Sequence, residues 1–419
     1  METTLSAKKI GIRDLFPCRS FMTLLTANLI SRFGDSLDSI AFGWMIYILT
    51  GSKLLLGTIL AVNALPNILF SPFAGVFVDR LRKKTVIVIG YVGRGVIVSL
   101  TAFLFFTSLL QPWHLFILTF ISSTLETFTT PALTSVMPLL LPKELFLTAN
   151  SFSSSAYQTA ELLGLITAGS LIAVFGISGA IFIDGATFFI AAILIFSISL
   201  QGDIKSEEVL TSNTYFIELK EGFSFIKNNT MLITTIILFA AINFCLAPVT
   251  VLMPAFVKEN LKGGPQMLSV LGMCLTVGMI LGGLLTGQFG SRFKISTLTI
   301  VGFVFLGINL ALLCIPGNII TSTTAASVLS GICFGLIGIS MPVVSSPIRA
   351  YLLTITPKEI LGRVSAVVGM ICCCAIPLSS SLTGVISQYI STPAAFLSLG
   401  LLICLISLSL IFNKKFRSA

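Results

Sequence analysis

Seven ionisable side chains lie inside stretches that are otherwise apolar enough to cross a lipid bilayer: Arg32, Asp35, Asp38, Arg94, Glu126, Glu161 and Asp184. A charge near mid-bilayer costs about 2.5–3.5 kcal/mol even on the mildest scale, so each needs a compensating role. Arg32, Asp35 and Asp38 are spaced i, i+3, i+6 and share one side of a helix. Asp35 falls near the middle of its run. There it is expected either to face a central cavity, taking a proton or meeting a cationic substrate, or to neutralise Arg32 in a local pair. Asp38 lies nearer the outer end. Glu126 sits in a stripe with Thr119, Ser122, Ser123, Thr127 and Thr130; polar groups of that kind belong against a cavity or another helix, not lipid. Glu161 follows Tyr157 and Gln158 by one turn on the same face. Either glutamate serves ion coupling or an interhelical hydrogen bond. Arg94 reads as the partner of one of these acids, and Asp184 as structural.

Other chemistry has little to build on. His114 is the only histidine, beside Trp113 at the start of an apolar run, where both suit the membrane interface. The nine cysteines have no metal-ligand spacing; Cys372, Cys373 and Cys374 point three ways around a helix and suit packing. There is no P-loop. The expectation is a protein that is not an enzyme, with no metal and no cofactor.

The elements that position these charges follow from composition. Of 419 residues, 55% are hydrophobic and only 10% charged, whereas soluble domains are about a quarter charged. Lipid must therefore solvate most of the chain. The net charge of +9 does not imply nucleic acid, because 20 of 25 Lys and Arg fall in tails and turns on one side. Three (Lys53, Lys258, Lys262) fall on the other, which is the positive-inside bias of a membrane protein.

Apolar runs occur at roughly 20–49, 54–77, 86–109, 112–138, 146–175 and 177–200, then at 230–257, 266–289, 295–316, 319–348, 360–390 and 393–412. Each has the ~20 residues a spanning helix needs. Twelve spans put both termini inside, and no cleavable signal peptide is apparent. The charged break at 201–229 carries Phe216, Leu219, Phe223 and Ile226 at helical spacing, as a helix lying on the inner surface would. The expected organisation is a six-helix half over 1–200, a cytoplasmic linker over 201–229 and a second six-helix half over 230–419.

The halves echo each other. Leu141-Pro142-Lys143-Glu144-Leu145 returns as Thr356-Pro357-Lys358-Glu359-Ile360, offset by 215, and Asn28 returns as Asn243 by the same offset. Gly75 and Arg80 return as Gly287 and Arg292, offset by 212. A parallel repeat of one fold explains all three. Interior charges are nonetheless confined to the first half.

Between the second and third runs lies Gly75-Val76-Phe77-Val78-Asp79-Arg80-Leu81-Arg82-Lys83-Lys84. It resembles the G-x-x-x-D-R-x-G-R/K-R/K signature of the major facilitator superfamily, with Arg82 in place of the usual glycine. Ser31 to Asp35, Phe128-Thr129-Thr130-Pro131-Ala132, Ala149-Asn150-Ser151, Glu221-Gly222-Phe223 and Leu361-Gly362-Arg363-Val364-Ser365 resemble its macrolide-efflux and siderophore-exporter branch. Gly164 to Gly169 keeps the outer glycines of an antiporter motif and lacks its proline.

The resemblance implies an all-α membrane protein of twelve helices in two halves. It would be a monomer in the inner (cytoplasmic) membrane that exports a small amphipathic molecule by alternating access, coupled to protons. Uptake, lipid movement between leaflets, or a non-transporting sensor or scaffold on the same fold are the alternatives. Arg32, Asp35, Asp38, Arg94, Glu126 and Glu161 are the candidate substrate and coupling residues. Gly75, Asp79, Arg80, Lys83, Lys84 and Arg363 are the candidate gating set. Asp79 would meet the positive N-terminus of the eleventh helix when the inner side closes, or else only moderate a basic, orientation-setting turn.

Overall fold

In lipid the backbone must satisfy its own hydrogen bonds, and long runs of Leu, Ile, Phe and Val with few breakers do so as helices. A computed structural model describes residues 12–199, 223–227, 229–320, 322–357 and 361–412. Four helices come first: α1 (Arg19–Thr50), α2 (Lys53–Asp79), α3 (Lys83–Phe106) and α4 (Pro112–Leu140). The helical stretch Phe146–Ser197 follows, then α7 (Thr230–Glu259), α8 (Pro265–Phe289), α9 (Ile295–Leu312), α10 (Thr323–Ile355), α11 (Leu361–Ile386) and α12 (Thr392–Phe412).

Phe146–Ser197 is two helices, α5 before Gly176 and α6 after it. Gly176 holds φ 71° and ψ 176°, a conformation that glycine adopts without a Cβ penalty. Gly164 and Asp184, on either side of it, both pack on the same turn of α1, against Phe33 and Gly34. The chain therefore doubles back at Gly176.

Local signals set the other reversals. Gly51 ends α1 in the left-handed region, and the Ser52 hydroxyl accepts from the Leu55 amide at 3.3 Å to start α2. The Gln111 amide donates to His114 Nδ1 at 2.9 Å, so the single histidine caps α4 beside an exposed Trp113.

Eight helical stretches among the described residues are long and apolar enough to cross a membrane, and the one through Gly176 has length for two. Neither α1 nor α4 is among them. Their polar content (Arg32, Asp35 and Asp38 on α1, the Ser/Thr/Glu stripe on α4) is what sets them apart, and it is spent inside the bundle.

In the first half α1 and α3 pack along the α5–α6 pair and α4 packs on α2 and α3; in the second, α10 packs on α8 and α9, α12 on α9, and α11 on α7. The halves meet mainly where α2 crosses α11 and α5 crosses α8. Both crossings are backbone-close. A Cβ at Gly57 would lie 2.4 Å from the Ser380 carbonyl oxygen, and one at Gly169 would lie 2.8 Å from Gln266 Cα. Glycines of the antiporter-like stretch thus serve packing: Gly164 against α1 and Gly169 against α8.

Buried apolar side chains tell the two ends apart. Away from the termini, one continuous cluster joins the halves, with Trp44, Met45 and Ile59 beside Phe256, Phe334 and Phe396. Towards the termini the core divides: Leu24, Val78, Ile87 and Val136 belong to one cluster, and Leu232, Leu352, Val364 and Val368 to another. The halves share one buried core at the far end and have separate ones at the end where α1 begins and α12 finishes. Of the sequence-expected surface helix at 201–229, only 223–227 and 229 lie within the described residues. Residues 223–227 are helical, with Ile226 buried in the second-half cluster.

Candidate functional site

A cavity of about 480 Å³ lies among α1, α3, α4 and α5 and opens towards the termini end. Phe21, Leu25, Leu133 and Met137 line one side of its mouth and Asn150, Ser153 and Ser154 of α5 the other; Arg32, Asp35, Arg94, Glu126 and Glu161 line its depth. Five of the six expected coupling residues therefore share one space. The sixth, Asp38, lies beyond them with Asp184, in a second chamber of about 100 Å³ that Asp35, Arg94 and Glu126 also border.

Arg94 is the centre of the charge arrangement. Its guanidinium donates to Asp35 Oδ1 at 2.8 Å and stands 3.7 Å from Glu126 Oε2. Its flat face lies 4.3 Å from the centre of the Phe188 ring, which fixes its plane. The Arg94 side chain is 13% exposed and that of Glu126 is 54% exposed, so the glutamate is the solvent-facing partner of the guanidinium. Arg94 is thus a partner of the acids, as expected from sequence. The local Arg32–Asp35 pair is not formed. Arg32 instead donates to Glu161 Oε2 at 2.8 Å, bridging α1 to α5. Helical spacing put Arg32 and Asp35 on one side of α1, but each finds a better-placed partner on another helix.

Neutral hydrogen bonds complete the wall. Tyr91 donates to Asn28 Oδ1 at 2.6 Å, and the Asn28 amide donates to the Tyr157 hydroxyl at 3.2 Å, tying α3, α1 and α5 together. The repeat-related Asn243 donates to Phe239 of its own helix at 2.9 Å. The repeat preserved the residue and not its use.

Asp184 is almost fully buried and accepts from Thr187 Oγ1 at 3.3 Å. It fits against α1 because residue 34 is glycine; a Cβ there would lie 2.3 Å from Asp184 Oδ1.

Within the gating set, Gly75 faces open space, as does its repeat partner Gly287. Arg80 is exposed and caps α2. Lys84 donates to the Ile198 carbonyl at 2.8 Å and lies over Phe196, which fastens the turn to α6 of its own half. Lys83 begins α3 beside it. The side chains of Asp79 and Arg363 lie outside the described residues.

At the far end is a cluster that sequence reasoning missed. Glu259, the last residue of α7, accepts from Tyr47 and from Lys53 Nζ, the latter at 2.7 Å. Thr392 at the start of α12 donates to it at 3.3 Å, and Lys258 lies over the Tyr47 ring. Tyr47 and Lys53 belong to the first half and Glu259 to the second, so this clasp joins the halves where they are closed. The available signal was a lone acid among Lys53, Lys258 and Lys262 on the side poor in charge.

Two curated relatives are macrolide efflux proteins. The chain is 28% identical to macrolide efflux protein A of Streptococcus pyogenes over 396 residues, covering 93% of this chain and 94% of that one. It is 30% identical to macrolide efflux protein A of Enterococcus faecalis over 336 residues, 78% and 99% of the two chains. Among solved structures, the nucleoside transporter NupG superposes with a TM-score of 0.75 at 14% identity, over 95% of this chain and 98% of that one. The family model of the Major Facilitator Superfamily matches residues 24–376. With its paired helical halves and its cavity between membrane-length helices, the chain belongs to the major facilitator superfamily.

Proposed function

We propose that the protein is a proton-coupled secondary transporter that exports a small amphipathic organic molecule, of the macrolide or cationic drug kind, by alternating access. The observation that carries this reading is one guanidinium shared between two carboxylates at the base of a cavity whose mouth is part apolar and part polar. A proton on Asp35 cancels the negative charge that holds Arg94 at 2.8 Å and frees the guanidinium for Glu126, 3.7 Å away. A cationic substrate at Glu126 drives Arg94 back to Asp35 and favours its ionised form. Proton and substrate therefore exclude one another through the one guanidinium that both displace, which is what exchange requires. Arg32, Glu161, Asp38 and Asp184 also face this group and bias its charge. A unit-charge interaction at about 4 Å is worth on the order of 4 kcal/mol at an effective dielectric constant near 20. That is ample to make the two bindings mutually exclusive.

The protein sits as a multi-pass monomer in the cytoplasmic membrane with both termini inside, so the parted end is the inward-open mouth. When that mouth closes, the Gly75–Lys84 turn moves against the start of α11, and Asp79 meets its N-terminus and Arg363. The names of the curated relatives support export. A survival and accumulation screen of a deletion strain against macrolides, siderophores and other amphipathic compounds tests the reading. Complementation by the wild type and not by Asp35→Asn is expected. Equal accumulation of every compound with and without the gene would overturn export.

A further inference from the structure

Among the described residues, four buried side-chain polar atoms lack a hydrogen-bond partner, and three of them belong to residues that line the smaller chamber: Asp38 Oδ1, Ser123 Oγ and Arg94 Nε, of which Arg94 lines the larger cavity as well. Ser123 is only 5% exposed, so bulk solvent does not satisfy it. A buried polar group without a partner costs about 1–3 kcal/mol, and three together imply an occupant.

The charge of the chamber identifies the occupant's class. Asp35, Asp38, Glu126 and Asp184 border it, against Arg94 as the one cation in its lining. Arg94 is already shared by Asp35 and Glu126, whereas Asp38 and Asp184 have no ion-pair partner among the described residues. Gly34 lets Asp184 press onto the turn of α1 just before Asp38, so both carboxylates address the same volume. Protons bound to the two acids would lower the charge but need no space. The chamber is about 100 Å³, and a water takes roughly 30 Å³ of liquid. Water alone would fill it and satisfy the orphaned atoms but would leave two carboxylates uncompensated in a membrane interior.

We infer that the chamber among α1, α2, α3, α4 and α6 is a binding site for a small hard cation, of which sodium is the probe, held by the carboxylates of Asp38 and Asp184 and the Ser123 hydroxyl. Hard cations take carboxylate, hydroxyl and water oxygens, and this wall presents oxygen donors on three helices. A water of the ion's shell accepts the Arg94 Nε proton. The Arg94 guanidinium in the wall disfavours a divalent ion. The site stands independently of the direction and substrate of transport.

The test is binding, with no transport step. The full-length protein, purified in detergent, is melted in sodium chloride and in choline chloride at equal ionic strength, followed through Trp44 and Trp113. Saturable binding of radiolabelled sodium is measured in parallel. A ligand that binds only the folded state raises its melting temperature. Sodium should raise it by about 2 °C or more over choline. Asp38→Asn and Asp184→Asn should each abolish the shift, and the milder Ser123→Ala should move its midpoint at least about tenfold higher. Equal melting in sodium and choline with no saturable binding to the wild type would overturn the inference. So would a full shift retained in both aspartate variants, or stabilisation by calcium alone. The wild-type binding measurement keeps the inference falsifiable if the aspartate variants fail to fold.

Discussion

Breaking the Glu259 clasp should shift the balance between the two open states of the transporter. In the state described here Glu259 holds Tyr47 and Lys53 across the closed end, with Lys53 Nζ 2.7 Å from its carboxylate. The Thr392 contact lies within the second half and survives any movement between halves. Only the Tyr47 and Lys53 contacts are lost when the far end parts. The Lys53 side chain is 14% exposed and that of Glu259 is 41% exposed. Solvent therefore screens the pair, and it contributes at the upper part of the ~0.2–1 kcal/mol range of exposed pairs. The tyrosine hydrogen bond to a carboxylate adds about 1.5–3 kcal/mol before screening and about half that at this exposure. A total of about 1–3 kcal/mol corresponds to a roughly 5–150-fold change in the ratio of the two states. Glu259→Ala should therefore deplete the termini-open state by at least about fivefold. Electron–electron distance measurements between spin labels on the termini-side ends of α4 and α10, in a background without reactive cysteines, would read this as a shift to shorter distances. Lys53→Glu combined with Glu259→Lys should restore the ion pair and part of the original distribution. Unchanged distances in Glu259→Ala and in Tyr47→Phe with Lys53→Ala would refute the clasp as a conformational latch.

Three further outcomes are expected. Arg94→Lys should lower transport at least about tenfold, because a single ammonium cannot serve both carboxylates from one plane; near-normal flux would remove the shared guanidinium from the mechanism. Gly176→Ala places a Cβ at φ 71° and ψ 176°, a conformation essentially confined to glycine, at a cost of about 1–3 kcal/mol. It should lower the melting temperature by a few degrees, and no change would mean that the joint relaxes freely. A reporter fused after Ala419 should be active only in the cytoplasm; activity confined to the outside would reverse the assigned orientation.

The architecture was legible because lipid constrains it so tightly. Run length and the charged turns point to a bundle of membrane helices, and the offsets of 212 and 215 to a repeat within it. That these charges would gather in one space was legible for a similar reason: side chains such as Asp35 and Arg94 are too costly to leave facing lipid. Their pairing was only partly so. Arg94 was expected to meet an acid and does, whereas Arg32 passes over the carboxylate three residues away for Glu161, 129 positions later. Spacing along one helix reports which residues share a face; the partner across an interface depends on how helices are set against one another. Glu259 escaped for the opposite reason. At the end of α7 it carries no penalty that demands an explanation, and its importance appears only when α1 and α2 come to lie beside it.

The most direct measurement of coupling at the shared guanidinium is macrolide flux into proteoliposomes under an imposed pH gradient, comparing the wild type with Asp35→Asn and Glu126→Gln at matched, correctly inserted protein. The wild type should move substrate against its gradient while the pH difference lasts and stop when a protonophore collapses it. Asp35→Asn should retain substrate binding but lose at least about tenfold of the gradient-driven flux, one 1.4 kcal/mol step in the driving equilibrium. Gradient-driven flux that is unchanged in both variants would contradict proton coupling at Asp35 and Glu126.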